Sequence, residues 1–200
     1  LDDAIEQGAL FDDERLAQRL IDYAPFQRAA RDRRAPHRPR VVQRLQIRAR
    51  RTRPNHRVTR QLLDALPQGP GPLVGLSWRS AMPEVGSAKS MSLVELLQAL
   101  DGLGPLRLVN LQYGDVAGEI DAAQRATGLQ VHQVAGVDPF NDLDALASLM
   151  RHCQAVVSTS NSTVHLAGAL GVDTWVMVPH GLGRLWHWHE RGGRCLWYPS

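Results

Sequence analysis

From Leu73 onward, the chain alternates between short apolar runs and segments in which apolar residues recur at helical spacing. The apolar runs predict strands at 73–78, 106–112, 129–134, 154–158 and 173–179. The helical spacing predicts helices at 91–100, around 116–127, at 142–153 and at 162–171. Strands and helices that alternate in this way form right-handed βαβ units with neighbouring parallel strands. The predicted fold class is therefore α/β, a Rossmann-like parallel sheet with helices on both faces.

The first 70 residues follow a different pattern. Apolar residues recur at near-helical spacing within residues 1–27, which predicts an amphipathic helix there. Residues 27–60 are rich in arginine and contain three prolines, and they hold too few large apolar side chains to offset the entropy of ordering. A Pro/Gly breaker, ALPQGPGP, comes next. We therefore predict a helical, then Arg-rich and partly disordered segment or N-terminal domain remnant at 1–70, and a Rossmann-like domain at 71–200.

The net charge of +3 is distributed unevenly along the chain. Residues 1–70 carry 15 arginines against 9 acidic residues, a net of +6, and residues 71–200 carry 8 basic against 11 acidic residues, a net of −3. Because the α/β part is acidic, we do not expect nucleic acid as a partner of this domain. A solvated linker is the favoured interpretation of residues 27–60. The alternative is an arm that binds a phosphate backbone, although it lacks the interleaved aromatic residues of a stacking platform.

Two further features of the composition bear on the location of the protein. No apolar run approaches the roughly 20 residues that span a bilayer, and no signal peptide opens the chain. The two cysteines, Cys153 and Cys195, have no CxxC spacing, which favours a reducing compartment. We therefore expect a cytoplasmic protein without a membrane span, and the chain, which opens at Leu1, is typical of a piece cut from a longer one.

Polar side chains lie at the start of the helix that follows the fourth predicted strand. Ligands of open parallel sheets bind beyond the carboxyl ends of the strands, and Ser160, Asn161, Ser162 and Thr163 lie there. The first turn of the helix adds unpaired backbone N–H groups and a partial positive charge, which together suit a diphosphate. The alternative is that Ser160 or Asn161 only caps the helix, as serine and asparagine often do.

Other strand ends hold further candidates. Arg79 and Lys89 follow the first strand, and Lys89 is close enough to the next helix for its ammonium to reach a phosphate; the alternative is two solvated surface cations. Gln112 and Tyr113 follow the second strand, where the tyrosine can stack on a base or simply lie on the surface. His165 is either a core histidine bonded to backbone or a second contact to the phosphate region.

Several other chemistries have little support in the sequence. His187 and His189, together with Cys195, permit a zinc interpretation, but their spacing matches no closed structural zinc pattern, so no metal site is predicted. Trp186 and Trp188 are interpreted as a packing cluster with the neighbouring histidines. The sequence has no G-x-S-x-G elbow, Walker loop or G-x-G-x-x-G motif, which disfavours a hydrolase triad, a P-loop NTPase and an NAD dehydrogenase.

The segments VGLSWRS, KSMSL, VNLQYGD, DLDALASLM and VVSTSNSTVHLAGALGVDTWVMVP occur in this order. Together they resemble the C-terminal half of bacterial glycosyltransferase-like domains found behind tetratricopeptide repeats. These domains are relatives of the ADP-heptose:lipopolysaccharide heptosyltransferases and, more distantly, of the O-linked N-acetylglucosamine transferases. The resemblance covers about residues 71–200 and implies a GT-B architecture, in which the C-terminal Rossmann-like domain holds a nucleotide-sugar. It also implies that no metal is required.

The resemblance implies roles for individual residues. Residues 160–163 match the family's diphosphate loop, and His165 matches its histidine before Leu-Ala. Lys89 lies where related transferases place a lysine that neutralises the departing nucleoside diphosphate, on which negative charge develops. Gln112 and Tyr113 match the L-Q-x-G turn that lines the nucleotide side.

Two departures from the family pattern leave the activity open. Ser160-Asn161 stand where many members have Asp-Thr, and no N-terminal Rossmann half is recognisable in residues 1–70. We expect a glycosyltransferase-type domain that takes a nucleotide-diphospho-sugar as donor substrate, without a cofactor, and a glycan, lipid-linked sugar or protein as acceptor. Lys89 and Arg79 are its predicted catalytic residues. The alternative is an inactive domain that serves as a protein-interaction or scaffold module.

Overall fold

The computed structural model describes residues 62–84 and 86–178, together with 42–45, 188, 190–191 and 194–195. The strands are β1 Val42–Leu45, β2 Leu73–Ser77, β3 Arg107–Asn110, β4 Val131–His132, β5 Ala155–Thr159, β6 Thr174–Met177, β7 Glu190–Arg191 and β8 Arg194–Cys195. The helices are α1 Gly86–Lys89, α2 Leu93–Leu100, α3 Ala117–Thr127, α4 Leu143–His152 and α5 Ser162–Ala169. Each strand and helix predicted between 73 and 178 is therefore present, with bounds shifted by a few residues.

The main sheet has six strands in the order β1-β6-β5-β2-β3-β4, of which all but β1 are parallel to their neighbours. From β2 the chain winds outward through β3 to β4, then returns to the other side of β2 for β5 and β6. The carboxyl ends of β2 and β5 therefore flank the topological switch point, where ligands bind in open α/β sheets. This arrangement confirms the predicted Rossmann-like parallel sheet.

Helices cover both faces of this sheet. Along β5, Ala155 and Val157 belong to the apolar cluster formed with α2 and α3, whereas Val156 belongs to the cluster formed with α4 and α5. All three side chains are fully buried. A parallel strand that is buried on both faces has a continuous apolar sequence rather than an alternating one, which is the pattern observed here.

Local capping sets where the helices begin. The α2 helix was predicted from residue 91, but Ser92 forms a capping box with Glu95, and the helix starts at Leu93. Asp142 likewise caps α4, its Oδ1 accepting from the Ala145 N–H at 2.8 Å. In both cases a side chain satisfies an N–H group that has no partner within its own helix, so the polar residue lies just outside the helix.

The packed unit extends N-terminal to the predicted boundary at residue 70. Val42–Leu45, in the segment interpreted as a linker, forms the antiparallel edge strand that pairs with β6. Leu62 is 3% exposed and belongs to the core on the α4 and α5 side. The remainder of residues 1–61 lies outside the described residues, and so does the helix predicted within 1–27.

None of the helices that the structure describes is both long and apolar enough to cross a bilayer. The longest of them, α3, has 11 residues, well short of the roughly 20 that a membrane-spanning helix requires.

Candidate functional site

Asn161 joins the two strand ends at the switch point. Its Nδ2 donates to Ser77 Oγ at 2.7 Å and to the Arg79 carbonyl at 3.1 Å, both at the exit of β2. Its Oδ1 accepts from the Thr163 N–H at 3.0 Å, which makes it the N-cap of α5, and from Ser158 Oγ at 3.1 Å. The side chain of an asparagine has two N–H donors and one acceptor oxygen, and all are in use here. The capping interpretation is therefore the one that the structure bears out for Asn161.

Gln112 holds the exit of β2 from the other side. Its Oε1 accepts from Ser77 Oγ at 3.0 Å and from the backbone N–H groups of Trp78 at 3.0 Å and Arg79 at 2.9 Å. Its Nε2 donates to the Tyr113 carbonyl at 3.3 Å. The side chain is 1% exposed, so its hydrogen bonds go to the protein rather than to solvent. Gln112 therefore fixes the start of the segment between β2 and α1, which carries Arg79.

Arg79 is paired with an acidic residue. Its Nε lies 3.1 Å from Glu119 Oε1, and its Nη2 donates to the Asp115 carbonyl at 3.1 Å. The second oxygen of Glu119 accepts from Trp78 Nε1 at 2.7 Å. The guanidinium is thus directed toward the first turn of α3 with its charge compensated, and about a third of the side chain is exposed. Because Glu119 already pairs with it, Arg79 attracts an anion less strongly than the sequence suggested.

Lys89 is the only lysine of the chain, and it is not a solvated surface cation. It is 6% exposed, and its Nζ contacts Met82 Sδ at 3.5 Å, a weak acceptor. Among the described residues no carboxylate forms an ion pair with it. Burial lowers the pKa of Lys89, because it removes water from the ammonium. A buried cation without a counter-charge is an electrostatic setting that favours an anion.

Packing against the β2 exit determines where Lys89 lies. Ser90 Oγ accepts from the Ser80 N–H at 2.9 Å and donates to the Gly86 carbonyl at 2.7 Å, which ties both ends of α1 to this exit. Gly86 is needed for the close approach, since a Cβ there would lie 2.5 Å from the Ser80 carbonyl oxygen. Lys89 is therefore held at the carboxyl edge of the sheet by its own short helix, which the sequence had predicted as loop.

Ser160 and His165 meet at a tryptophan from the C-terminal segment. Trp188 Nε1 donates to Ser160 Oγ at 2.6 Å, and its ring stacks on the His165 imidazole with centroids 5.2 Å apart and planes 13° apart. Trp188 is fully buried. The sequence predicted that Trp188 packs with nearby histidines. It packs on His165, 23 positions earlier, and packing with His187 and His189 stays a prediction, because both lie outside the described residues.

The remaining members of the loop differ in exposure. Ser162 is exposed at the first position of α5, whereas Thr163 is buried and its N–H is taken by the Asn161 cap. Thr159, which precedes the loop and was not a sequence candidate, is 1% exposed, and its Oγ1 has no hydrogen-bond partner in the described part of the chain. Local sequence gave no sign of this, because a threonine at a strand end is common.

Tyr113 is a partly buried residue rather than a surface tyrosine. Its hydroxyl oxygen accepts from the Ala81 N–H at 2.9 Å, and its ring lies 6.2 Å from the ring of Phe140. Phe140 itself is 70% exposed. Tyr113 thus connects the β2 exit to the loop after β4, with one aromatic face near that loop.

A pocket of about 510 Å³ opens beyond the carboxyl ends of β3 and β4. It is lined by Asn110, Gln112, Gly114, Gln133, Val134, Val137, Asp138, Pro139, Phe140 and Asn141. Of the sequence candidates only Gln112 contributes to its wall. The loop after Val134 also follows the carboxyl end of a strand, where ligands of open parallel sheets bind. No residue in that loop belongs to a recognisable motif, so none of them was a sequence candidate. Asp138 shapes this loop, since its carboxylate accepts from Asn141 Nδ2 at 2.7 Å and from the backbone N–H groups of Phe140 and Asn141, and these bonds, the first above all, lower the pKa of Asp138.

Within the described residues, no three or more His, Cys, Asp or Glu side chains are grouped so that they could hold a metal ion. The histidines and the cysteine of the zinc interpretation have side chains outside this part of the chain. The zinc interpretation therefore stays untested.

The fold and the strand-end contacts place the chain in the class of α/β domains with a Rossmann-like parallel sheet. Among curated proteins, it is similar to Protein FlbA of Caulobacter vibrioides, with 35% identity over 133 residues. The match covers 66% of this chain but 22% of FlbA, so the chain corresponds to about a fifth of the length of that protein. No protein-family model matches the chain. No solved structure matches it either.

Proposed function

We propose that this domain binds a nucleotide-diphospho-sugar and acts as the donor-binding part of a glycosyltransferase. The observation that carries the proposal is Lys89, a buried ammonium without a carboxylate partner among the described residues, held at the carboxyl edge of a Rossmann-like sheet. A diphosphate supplies the missing counter-charge. It also suits the N-terminus of α5, which begins at the same edge of the sheet.

The pocket beyond β3 and β4 supports the proposal, because it offers room for the nucleoside. Its volume of about 510 Å³ falls within the range of about 300–1,000 Å³ typical of small-molecule sites. Its wall combines amide side chains with apolar ones, including Val134 and Phe140. Such a wall suits a heterocycle and a ribose better than a second charged group. In this arrangement the diphosphate lies toward β2 and β5, and the nucleoside lies toward β3 and β4.

The chemistry expected of this site is displacement at the anomeric carbon. The acceptor oxygen forms a bond to that carbon and loses its proton to solvent or to a base in the acceptor-binding part, and the bond from the carbon to the β-phosphate oxygen breaks with its electron pair staying on the phosphate. Negative charge therefore develops on the departing nucleoside diphosphate, where Lys89 is placed to stabilise it. Arg79 contributes less, because Glu119 already compensates its charge.

The binding free energies indicate that contacts to a diphosphate alone do not give tight binding. Three charge-assisted hydrogen bonds, at about 1.5–3 kcal/mol each, contribute about 5–9 kcal/mol. Association costs about 4–15 kcal/mol in translational and rotational freedom. Nucleoside contacts must supply the difference, so inorganic pyrophosphate should bind more weakly than a nucleoside diphosphate.

Calorimetric titration of the folded chain with UDP, GDP and ADP tests the proposal. We expect saturable binding of at least one of them and a loss of about tenfold or more in Lys89→Met, which removes the charge and keeps the length of the side chain. Arg125→Met is the matched control. It removes one positive charge from an exposed position in the last turn of α3, and that end of the helix lies at the amino edge of the sheet. No saturable binding of any of the three, in a sample shown to be folded, overturns the proposal.

An interaction or scaffold module is the second candidate function, and one observation favours it. The side chains of Asn161 and Gln112, both predicted to contact the ligand, are fully engaged in holding strand exits together. This module binds a protein partner and no nucleotide, so the same titration decides between the two functions.

A further inference from the structure

The hydrogen bond between Trp188 and Ser160 has only one possible direction. An indole N–H can only donate, so at 2.6 Å from Trp188 Nε1 the Ser160 oxygen must be the acceptor. The serine hydroxyl proton must then go elsewhere. Ser160 is 1% exposed, and no acceptor for that proton occurs among the described residues. Trp188 therefore constrains Ser160 to act as a donor toward something else.

Thr159, the residue before Ser160, adds a second buried hydroxyl at the same strand end. It is also 1% exposed, and within the described part of the chain its Oγ1 has no hydrogen-bond partner. Buried hydroxyl groups without a partner are destabilising, and native structures contain few of them. An unpartnered Thr159 hydroxyl and a Ser160 proton without an acceptor, on consecutive residues at the carboxyl end of β5, therefore indicate a site that an acceptor-rich ligand completes.

The position of Trp188 is set by packing rather than by the hydrogen bond alone. The residue is fully buried and clusters with Val164, Val176 and Val178. Its ring also stacks on His165, which lies one helical turn after the start of α5. An indole held by apolar contacts on one side and by an imidazole on the other keeps its N–H fixed in direction.

We propose that Trp188 is a positioning residue. Its indole N–H occupies the Ser160 oxygen, so the Ser160 hydroxyl donates its own proton to a phosphate oxygen of the ligand. The Thr159 hydroxyl donates to the same ligand. The inference rests on the proposed function and adds the residue that orients the loop. Because a diphosphate oxygen accepts hydrogen bonds but cannot donate them when ionised, the site prefers a diphosphate over the corresponding nucleoside.

A double-mutant cycle tests this role. Trp188→Phe keeps an aromatic ring against His165 and removes the N–H, and Ser160→Ala removes the hydroxyl. For the nucleoside diphosphate that binds best among UDP, GDP and ADP, we expect each single variant to weaken binding about tenfold, whereas binding of the matching nucleoside stays unchanged. We expect the double variant to lose no more than Ser160→Ala alone, because Trp188 acts through Ser160.

Two further variants complete the experiment. Trp175→Phe makes the same change at a residue whose side chain lies in the core on the opposite face of the sheet, and should leave the preference for the diphosphate unaltered. Thr159→Val removes the second hydroxyl at nearly constant shape. It should lower diphosphate affinity about tenfold while the midpoint of urea unfolding stays the same or rises, and this variant tests the inference even if Trp188→Phe fails to fold.

Three outcomes overturn the inference. Equal losses for diphosphate and nucleoside indicate that Trp188 has a structural role only, and additive losses in the double variant show that it does not act through Ser160. If the wild-type chain binds a diphosphate and neither Trp188→Phe nor Thr159→Val weakens it, the inference fails and the proposed function stands. If the folded wild-type chain binds no nucleoside diphosphate, both fail together.

Discussion

Replacing Gln112 with leucine tests the role of its side chain as the anchor of the β2 exit. The substitution keeps the size of the side chain and removes its acceptor oxygen and its N–H donors. In the native chain that oxygen accepts from the N–H groups of Trp78 and Arg79 and from Ser77 Oγ. The two backbone donors cannot turn elsewhere, since they belong to a turn fixed between β2 and α1.

The expected loss in the free energy of unfolding follows from the backbone N–H groups that Gln112→Leu leaves without an acceptor. Each buried backbone N–H that loses its acceptor costs about 1–3 kcal/mol, so the two together cost about 2–6 kcal/mol. The hydroxyl of Ser77 adds little, because it can rotate and still accepts from Asn161. A small domain has a total stability of about 5–15 kcal/mol, so Gln112→Leu should remove a large part of it.

Urea unfolding followed by circular dichroism measures this cost. Gln154→Leu is the matched control, because its Oε1 accepts one backbone N–H, that of Leu73 at 2.6 Å, at an exposed position. It should cost about 0.5–1.5 kcal/mol, the net contribution of one ordinary hydrogen bond. Equal midpoints and slopes for the two variants would refute the anchoring role of Gln112.

Three further predictions concern Asn161, Lys89 and Cys153. Asn161→Ala should lower the free energy of unfolding in urea by about 2–4 kcal/mol, because four hydrogen bonds are lost. Asp142→Ala, which loses only an N-cap, should lower it by about 1 kcal/mol. Similar losses for both variants would contradict the bridging role of Asn161. Burial lowers the pKa of Lys89 from 10.5, so the unfolded chain binds more protons than the folded chain above that lowered value. Lys89→Met should therefore be more stable than wild type near pH 7, with a difference that shrinks as the pH approaches about 10.5, and a difference independent of pH would contradict this. Burial raises the pKa of Cys153 from 9.0 to about 12, which makes the folded state lose stability as the pH rises from about 9 toward 12. In a Cys195→Ser background, alkylation of Cys153 by iodoacetamide near pH 8.5 should be slow until urea unfolds the chain, and rapid reaction without urea would show that the thiol is accessible.

The elements of the sheet and its helices were predictable because their signals are local. Apolar runs and helical spacing reflect the burial of one segment against its neighbours, and they placed each strand of residues 73–178 and each helix there except α1. Among the elements that these signals missed are β1 and α1. The edge strand β1 lies in an arginine-rich segment whose pairing with β6 depends on backbone groups rather than on an apolar pattern. The helix α1 is only four residues long, too short to show a period.

Residue types at strand ends located the candidate site, but tertiary structure decided what each residue does there. The partners are far apart in the chain: Asn161 bonds to Ser77 across 84 positions, and Trp188 bonds to Ser160 across 28. A local pattern shows that a side chain is polar and near a helix N-terminus. It does not show whether the hydrogen bonds of that side chain go to a ligand or to another strand exit.

Lys89 and Gln112 are two further residues that the sequence located and whose surroundings only the tertiary structure showed. From sequence alone, a lysine before a helix is equally a surface cation or a phosphate contact, and a glutamine after a strand is equally a lining or an anchoring residue. Burial shows that Lys89 is not a solvated surface cation, and three donors converging on one oxygen show that Gln112 anchors the β2 exit. The sequence by itself determined the α/β fold and the edge where chemistry is expected. Tertiary structure decided which side chains at that edge hold strand exits together and which are buried without such partners, because only folding brings distant groups within hydrogen-bonding distance.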